Sequence, residues 1–299
     1  MKVLDYFGVV LLPTTVVISA CQNSNAISQP PSTEESKQTA RMASKDQEHF
    51  SDLFVKGNSI TYADYDIIKS KKTVRDENTA YRATEITYLV VERNGRTVGQ
   101  FDSVYFPIGN ATDFGLFSFL GDETKQLAIS QTVPRGGNHW IVQLYPEYRM
   151  LFDSAEYEVG REHVKIMDME KDGIYEISLP VTSFYGGFKV PEAGTPLPVV
   201  IFKYEEKERR YLPANHIFRD YLLNGVDHRI KEMRTIGSVS EIDVLDIMLG
   251  FLYAGRESEG WSFFDEEYKL PDKEKVRSKL EGVLKKAPAY RYIRDHRAN

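Results

Sequence analysis

The sequence predicts an α+β fold, an antiparallel β domain built as a sandwich or a propeller-like sheet and followed by a C-terminal helical domain. Three observations predict it. Up to about Tyr204, apolar residues recur at every second position in short runs separated by Gly, Asn, Asp and Pro. Beyond Glu205 the period lengthens to that of a helix, with capping residues ahead of the apolar runs. Strands are followed by helices without alternation, which argues against a βαβ sheet. The 299 residues divide into a leader at 1–20, a tether at 21–43, a β-rich domain at 44–205 and a helical domain at 206–299.

The body opens with a short predicted helix: Ser44 and Gln47 fit a capping box, Phe50, Leu53 and Phe54 share one helical face, and Gly57 supplies a stop. Ile86, Tyr88 and Val90 then alternate with Thr87, Leu89 and Val91, so both faces are apolar enough to be covered. Asn94-Gly95 is the dipeptide of a tight hairpin and leads into a strand over Val98 to Phe106. Further strands are predicted at Gly115 to Leu120, Gln126 to Val133, Trp140 to Leu144, Arg149 to Phe152, His163 to Met167, Ile174 to Val181 and Val199 to Tyr204.

In the helical part, Asn215 is placed to cap a helix carrying Phe218, Tyr221, Leu222, Val226, Ile230 and Met233. Ser240 with Asp243 starts a second helix, in which Val244, Leu245, Ile247, Met248, Leu249 and Leu252 leave almost no polar face, so this helix is expected at the centre of the packing. Trp261, Phe264 and Tyr268 mark a third. Asp272 caps a fourth, with Val276, Leu280, Val283 and Leu284 inward and Pro288 as its end.

At the N-terminus, Lys2 precedes an apolar segment from Tyr6 to Ala20 that is too short for a membrane-spanning helix and has the length of a signal h-region. The segment ends Ile18-Ser19-Ala20-Cys21, which resembles the lipobox of bacterial lipoproteins, although Asp5 and Pro13 depart from the usual leader. The resemblance implies that Cys21 is diacylated, becomes the mature N-terminus and anchors the chain in the bacterial cell envelope. Gln22 in place of Asp implies the outer membrane. Two acyl chains hold a soluble body stably where one does not. Cys21 is the sole cysteine, so acylation leaves no disulfide. Gln22 to Ala43 is rich in Ser, Thr, Gln and Pro, and as a flexible coil it spans on the order of 25 Å.

The net charge of −6 falls on the β-rich part, because 206–299 holds 18 Lys+Arg against 17 Asp+Glu. Neither part has the one-sided basic surface that displaces counterions from nucleic acid, so DNA and RNA are set aside as partners.

One stretch suggests a chemistry, the acidic loop from Asp168 to Glu176. Asp168, Glu170, Asp172 and Glu176 stand at relative positions one, three, five and nine, with Gly173 at six and the Ile174 carbonyl at seven. Calcium takes six to eight oxygens from such a flexible loop. The stretch resembles the Asp-rich calcium loop of FG-GAP or VCBS repeats, with Glu170 and Glu176 replacing shorter acids, and the resemblance implies a calcium ion held by these four side chains. The bland reading of the same residues is a solvated hairpin tip turned by Asp172-Gly173.

Two aromatic-glycine loops are further candidates for ligand binding. Gly136-Gly137-Asn138-His139-Trp140 combines close backbone approach with a base and a stacking surface, and Phe184-Tyr185-Gly186-Gly187-Phe188 would add Tyr185 if both loops form one rim. His216 and His228 are read as helix-surface partners of Asp220 and Glu232. Zinc, nucleotide and serine-hydrolase motifs are absent from the sequence. Three functions stay open: a membrane-tethered, non-catalytic binding or assembly module stabilised by calcium; an envelope hydrolase acting on glycan or peptidoglycan through His139; and a helical docking platform for another envelope protein.

Overall fold

Asn94 and Gly95 adopt φ of +53° and +71°. This left-handed pair makes the tight turn that its sequence predicts, joining β4 (Thr84–Arg93) to β5 (Arg96–Phe101). With β2 (Ser59–Tyr62) and β3 (Tyr65–Val74) they form an antiparallel sheet in the order β2-β3-β4-β5. The computed structural model describes residues 47–74, 84–102, 111–133, 136–160, 164–185, 195–236 and 240–296. Cys21 with its lipobox, the tether, Arg135, His163 and Gly186-Gly187 lie outside them.

Two more antiparallel sheets follow. β6 (Ala111–Phe117), β7 (Gln126–Val133), β8 (Gly136–Gln143) and β9 (Arg149–Asp153) pair in sequence order. A five-stranded sheet runs β1-β10-β11-β12-β13, from β1 (Gln47–His49), β10 (Lys165–Met167), β11 (Glu176–Pro180), β12 (Val199–Glu205) and β13 (Arg210–Pro213). Among the described residues five α-helices complete the order: α1 (Arg219–Ile236), α2 (Glu241–Tyr253), α3 (Glu257–Glu267), α4 (Lys273–Leu284) and α5 (Pro288–Asp295). The fold is α+β, with strands first and helices after. No helix among the described residues is long and apolar enough to cross a membrane.

The β6–β9 sheet is covered on both sides, as its continuous apolar runs require. Leu127, Ile129, Trp140 and Val142 face one core with Tyr65, Ile67, Leu89 and Val91 of the first sheet. Their neighbours Ala128 and Ile141 face a second core with Ile177, Leu179, Val200 and Phe202 of the five-stranded sheet. Successive strand side chains point to opposite faces, so one run of sequence serves two cores. The second core continues into the helices through Val244, Leu245, Met248, Leu249 and Leu252 of α2. Each such side chain, fully buried, contributes about 1.5–3 kcal/mol. Ser44–Asn299 is one compact unit in which strands and helices share that core.

Several local expectations are corrected. The predicted opening helix is instead β1, paired with β10 through Gln47↔Met167, followed by a 3-10 turn over Phe50–Leu53. An open sheet edge offers unpaired backbone groups, and pairing outweighs a weak capping signal. β2 and β3 were not predicted, and β13 carries the sheet beyond residue 205 to Pro213. The Ser240–Asp243 capping box forms. Asn215 caps nothing; its buried side chain ties β12 to the end of α2. Asp272 stands at the start of α4 without a side-chain cap, and Pro288 begins α5, where its missing N–H costs nothing.

Candidate functional site

The acidic loop joins β10 to β11. Lys171 and Gly173 take φ of +60° and +85°. Asp168 accepts the N–H of Asp172 at 3.1 Å on one oxygen and that of Gly173 at 3.2 Å on the other. Asp172 accepts the N–H of Ile174 at 2.9 Å. The chain therefore bends sharply at Gly173. Gly121, itself at φ +69°, lies against it so closely that a Cβ there would come within 2.7 Å of the Gly173 carbonyl. The Tyr175 N–H donates to the Phe119 carbonyl at 2.9 Å, which docks the loop on the neighbouring sheet.

The remaining two carboxylates are committed elsewhere. Glu170 is ion-paired with Lys203 of β12. Glu176 is fully buried; one oxygen accepts the Met169 N–H at 2.8 Å and the other has no hydrogen-bond partner among the described residues. Burial pushes the Glu176 carboxyl up to about 7, against the Met169 hydrogen bond and with help from the Glu170 and Asp172 charges. The convergence of four side chains on one calcium ion is not seen: among the described residues no group of three or more His, Cys, Asp or Glu is placed to hold a metal.

The aromatic-glycine loops are corrected by burial. His139 is 2% exposed, its ring meets the Phe50 ring edge-on at 5.7 Å, and its backbone N–H donates to Ser154 Oγ at 2.9 Å. Trp140 is 7% exposed and packs on Phe101. Tyr185 is half-buried in a turn closed by its N–H to the Thr182 carbonyl, and its neighbour Phe184 packs against Tyr253 of α2. His139 and Phe184 both pack on the core shared with the five-stranded sheet, Trp140 on the other, and the buried His139 and Trp140 form no solvent-facing rim with Tyr185. The His228–Glu232 surface pair is present at 3.2 Å.

A groove lies instead where the β12–β13 hairpin meets α5 and the chain leading into α1, with a cavity volume of about 340 Å³. Its floor is apolar, from Leu212, Pro213 and Ala214. Tyr292 and His296 stack along it with ring centroids 4.0 Å apart, and His296 Nδ1 lies 2.9 Å from the Tyr292 carbonyl. His216 lines the groove too, and burial, then the nearby Arg219 and His296, hold it below the usual histidine range. At Tyr292, burial and then Glu205 and Glu208 raise the phenol. Glu205 and Glu208 line the groove with Lys207, and among the described residues none of the three has an ion-pair partner.

The sequence reading missed this groove because it placed His216 on a helix surface beside Asp220. His216 precedes α1 and faces α5, which arrives about 80 residues later. The one legible signal was the dense charge at Glu205-Glu206-Lys207-Glu208-Arg209-Arg210, which marks an exposed turn and not what packs beside it. Compared with protein-family models, curated proteins and solved structures, the chain shows no match to any of them.

Proposed function

We propose that this chain is a bacterial envelope lipoprotein, tethered through a diacylated Cys21, whose 44–299 body acts by binding a partner rather than by catalysis. The observation that carries the binding role is the groove between the β12–β13 hairpin and α5. It combines an apolar floor, a ring stack and the charged side chains of Glu205, Lys207 and Glu208, which have no ion-pair partner among the described residues, the composition of a recognition site. The Ile18–Cys21 motif supports the anchor, and the Ser-, Thr- and Pro-rich tether supports a body held a short distance from the bilayer. His139, on which the hydrolase reading depended, is a core residue.

The test is metabolic labelling with radioactive palmitate of the full chain and of Cys21→Ala in a bacterial host, followed by separation of inner and outer membranes. The wild-type chain is expected to carry label and sediment with outer membrane, and the variant to carry none and leave the membrane. An unlabelled wild-type chain removes the anchor and the envelope assignment with it.

The docking-platform reading draws on one observation: Ile217, in the turn before α1, and Tyr221, in its first turn, are each 48% exposed. A photo-crosslinking amino acid at position 221 tests it in intact cells, where a discrete crosslinked band is expected and a smear or none excludes it.

A further inference from the structure

The three sheets share one end. In the five-stranded sheet Gln47 pairs with Met167, Met167 with Glu176, Ile177 with Phe202 and Glu205 with Arg210, so the start of β1, the acidic loop and the β12–β13 turn lie together. In the β6–β9 sheet Gln126 pairs with Phe117 and with Gln143, which places the turns 118–125 and 144–148 side by side. In the first sheet the pair Tyr65↔Arg93 does the same for the turns before Tyr65 and after Arg93. Contacts join the three sets: the Tyr175 N–H donates to the Phe119 carbonyl, Arg209 pairs with Glu147 at 2.9 Å, and the Lys125 N–H donates to the Tyr62 hydroxyl at 2.8 Å. The opposite end of the first sheet, where Val74 pairs with Thr84, is about 30 Å away along β3. Gln47 opens β1 at the shared end, so the 44–299 body is entered there. Tyr145, in the 144–148 turn, is the most exposed large apolar side chain among the described residues at 57%. Val98 and Met150, also exposed, follow neighbouring turns that meet where the Tyr148 hydroxyl sits on Gly99.

We propose that this turn end faces the bilayer in which Cys21 is anchored, with Tyr145 at the level of the lipid head-groups. The inference rests on the lipid-anchored reading and gives the body a direction. The tether, taken as a coil of its composition, spans on the order of 25 Å. With the turn end down that span suffices; with the far end down the tether must first run back along the ~30 Å of sheet, beyond its ordinary reach. A tyrosine, apolar in its ring and polar at its tip, suits the membrane–water interface. Charges of both signs stand around it, Glu123 with Lys125 and Glu206 with Lys207 and Arg209, and their cost in hydrocarbon keeps this end from inserting. Glu205, Lys207 and Glu208 also line the groove, so a partner bound there is met beside the head-groups.

The test is energy transfer on the acylated full chain in vesicles of phosphatidylethanolamine and phosphatidylglycerol that carry a trace of rhodamine-labelled phosphatidylethanolamine. The Cys21 sulfur is blocked by its acyl chain, so a donor fluorophore attaches only to a cysteine introduced at an exposed position. The turn end takes it through Glu123→Cys, Tyr145→Cys or Glu206→Cys, the far end of the first sheet through Glu85→Cys, and α4 through Ser278→Cys. Transfer from positions 123, 145 and 206 is expected to exceed that from 85 and 278 roughly twofold or more, given the length of the sheet. Equal transfer from every position, or stronger transfer from 85 or 278, by a chain that still floats with the vesicles overturns the proposal and leaves the anchored module standing. A chain that takes up no palmitate and does not float overturns the anchor, and this proposal with it.

Discussion

The Asn215 side chain donates to the Tyr253 carbonyl at 2.9 Å, and this buried hydrogen bond joins the end of the five-stranded sheet to the end of α2. The same amide donates to the Val199 carbonyl at 3.0 Å and accepts the Ile201 N–H at 2.8 Å. A short polar side chain thus satisfies three backbone groups in a place where water does not reach.

Replacing Asn215 by Leu strands those three groups. The expected loss is roughly 2–4 kcal/mol, because each buried group left unpaired costs about 1–3 kcal/mol and local relaxation recovers part. Thermal unfolding followed by circular dichroism should show Tm lower by about 5–15 °C. A variant within 2 °C of wild type would mean that the pin is dispensable.

Glu176 sets a pH dependence with a definite sign. Its carboxyl titrates near 7 in the folded chain against an ordinary 4.5, so the folded state holds the proton more tightly. The stability this gives is fully present below about 4.5 and is lost as pH rises through about 7. Between pH 5 and pH 8 the loss is on the order of a few kcal/mol. Glu176→Gln keeps an acceptor for the Met169 N–H and cannot ionise, so urea denaturation should show it more stable than wild type at pH 8 and nearly equal at pH 5. Parallel pH profiles for the two chains would show that Glu176 does not titrate in this range.

His139→Ala should behave as a core deletion. It removes a ring packed on Phe50 and costs roughly 2–4 kcal/mol in urea. Titration below the unfolding range should show ligand binding at the groove unchanged, since His139 belongs to a different part of the fold. Unchanged stability together with lost binding would reverse the assignment.

Calcium is expected to leave Tm within 1–2 °C of its value in chelator. Asp168 and Asp172 are already satisfied by loop N–H groups, Glu170 is held by Lys203 and Glu176 is turned inward. A rise of several degrees in millimolar calcium, abolished in Asp168→Ala, would show that the loop opens Glu170 and Glu176 toward an ion.

Periodicity located β7 at its exact bounds and most other strands to within a few residues, because a strand buried on both faces must be apolar along its whole length. It overlooked β3, whose Lys69, Lys71 and Lys72 interrupt the alternation, although the pairing Ile67↔Val91 places Ile67 in the core. The acidic loop was legible as a bend, since Gly173 and the two Asx acceptors act over five residues. Where Glu170 and Glu176 point was not, because Lys203 and the packing around β11 decide it.

By itself the sequence determined the order of strands and then helices, the hairpin at Asn94-Gly95, the Ser240–Asp243 cap and α2 as a central helix, all of which arise from neighbours within a few positions. The tertiary structure alone decided that His139 is core, that Asn215 is a cross-link and that His216, Glu205 and Tyr292 border one groove. Those outcomes depend on contacts between residues far apart in the chain, and a side chain's chemistry does not state which distant surface will cover it or leave it open to a ligand.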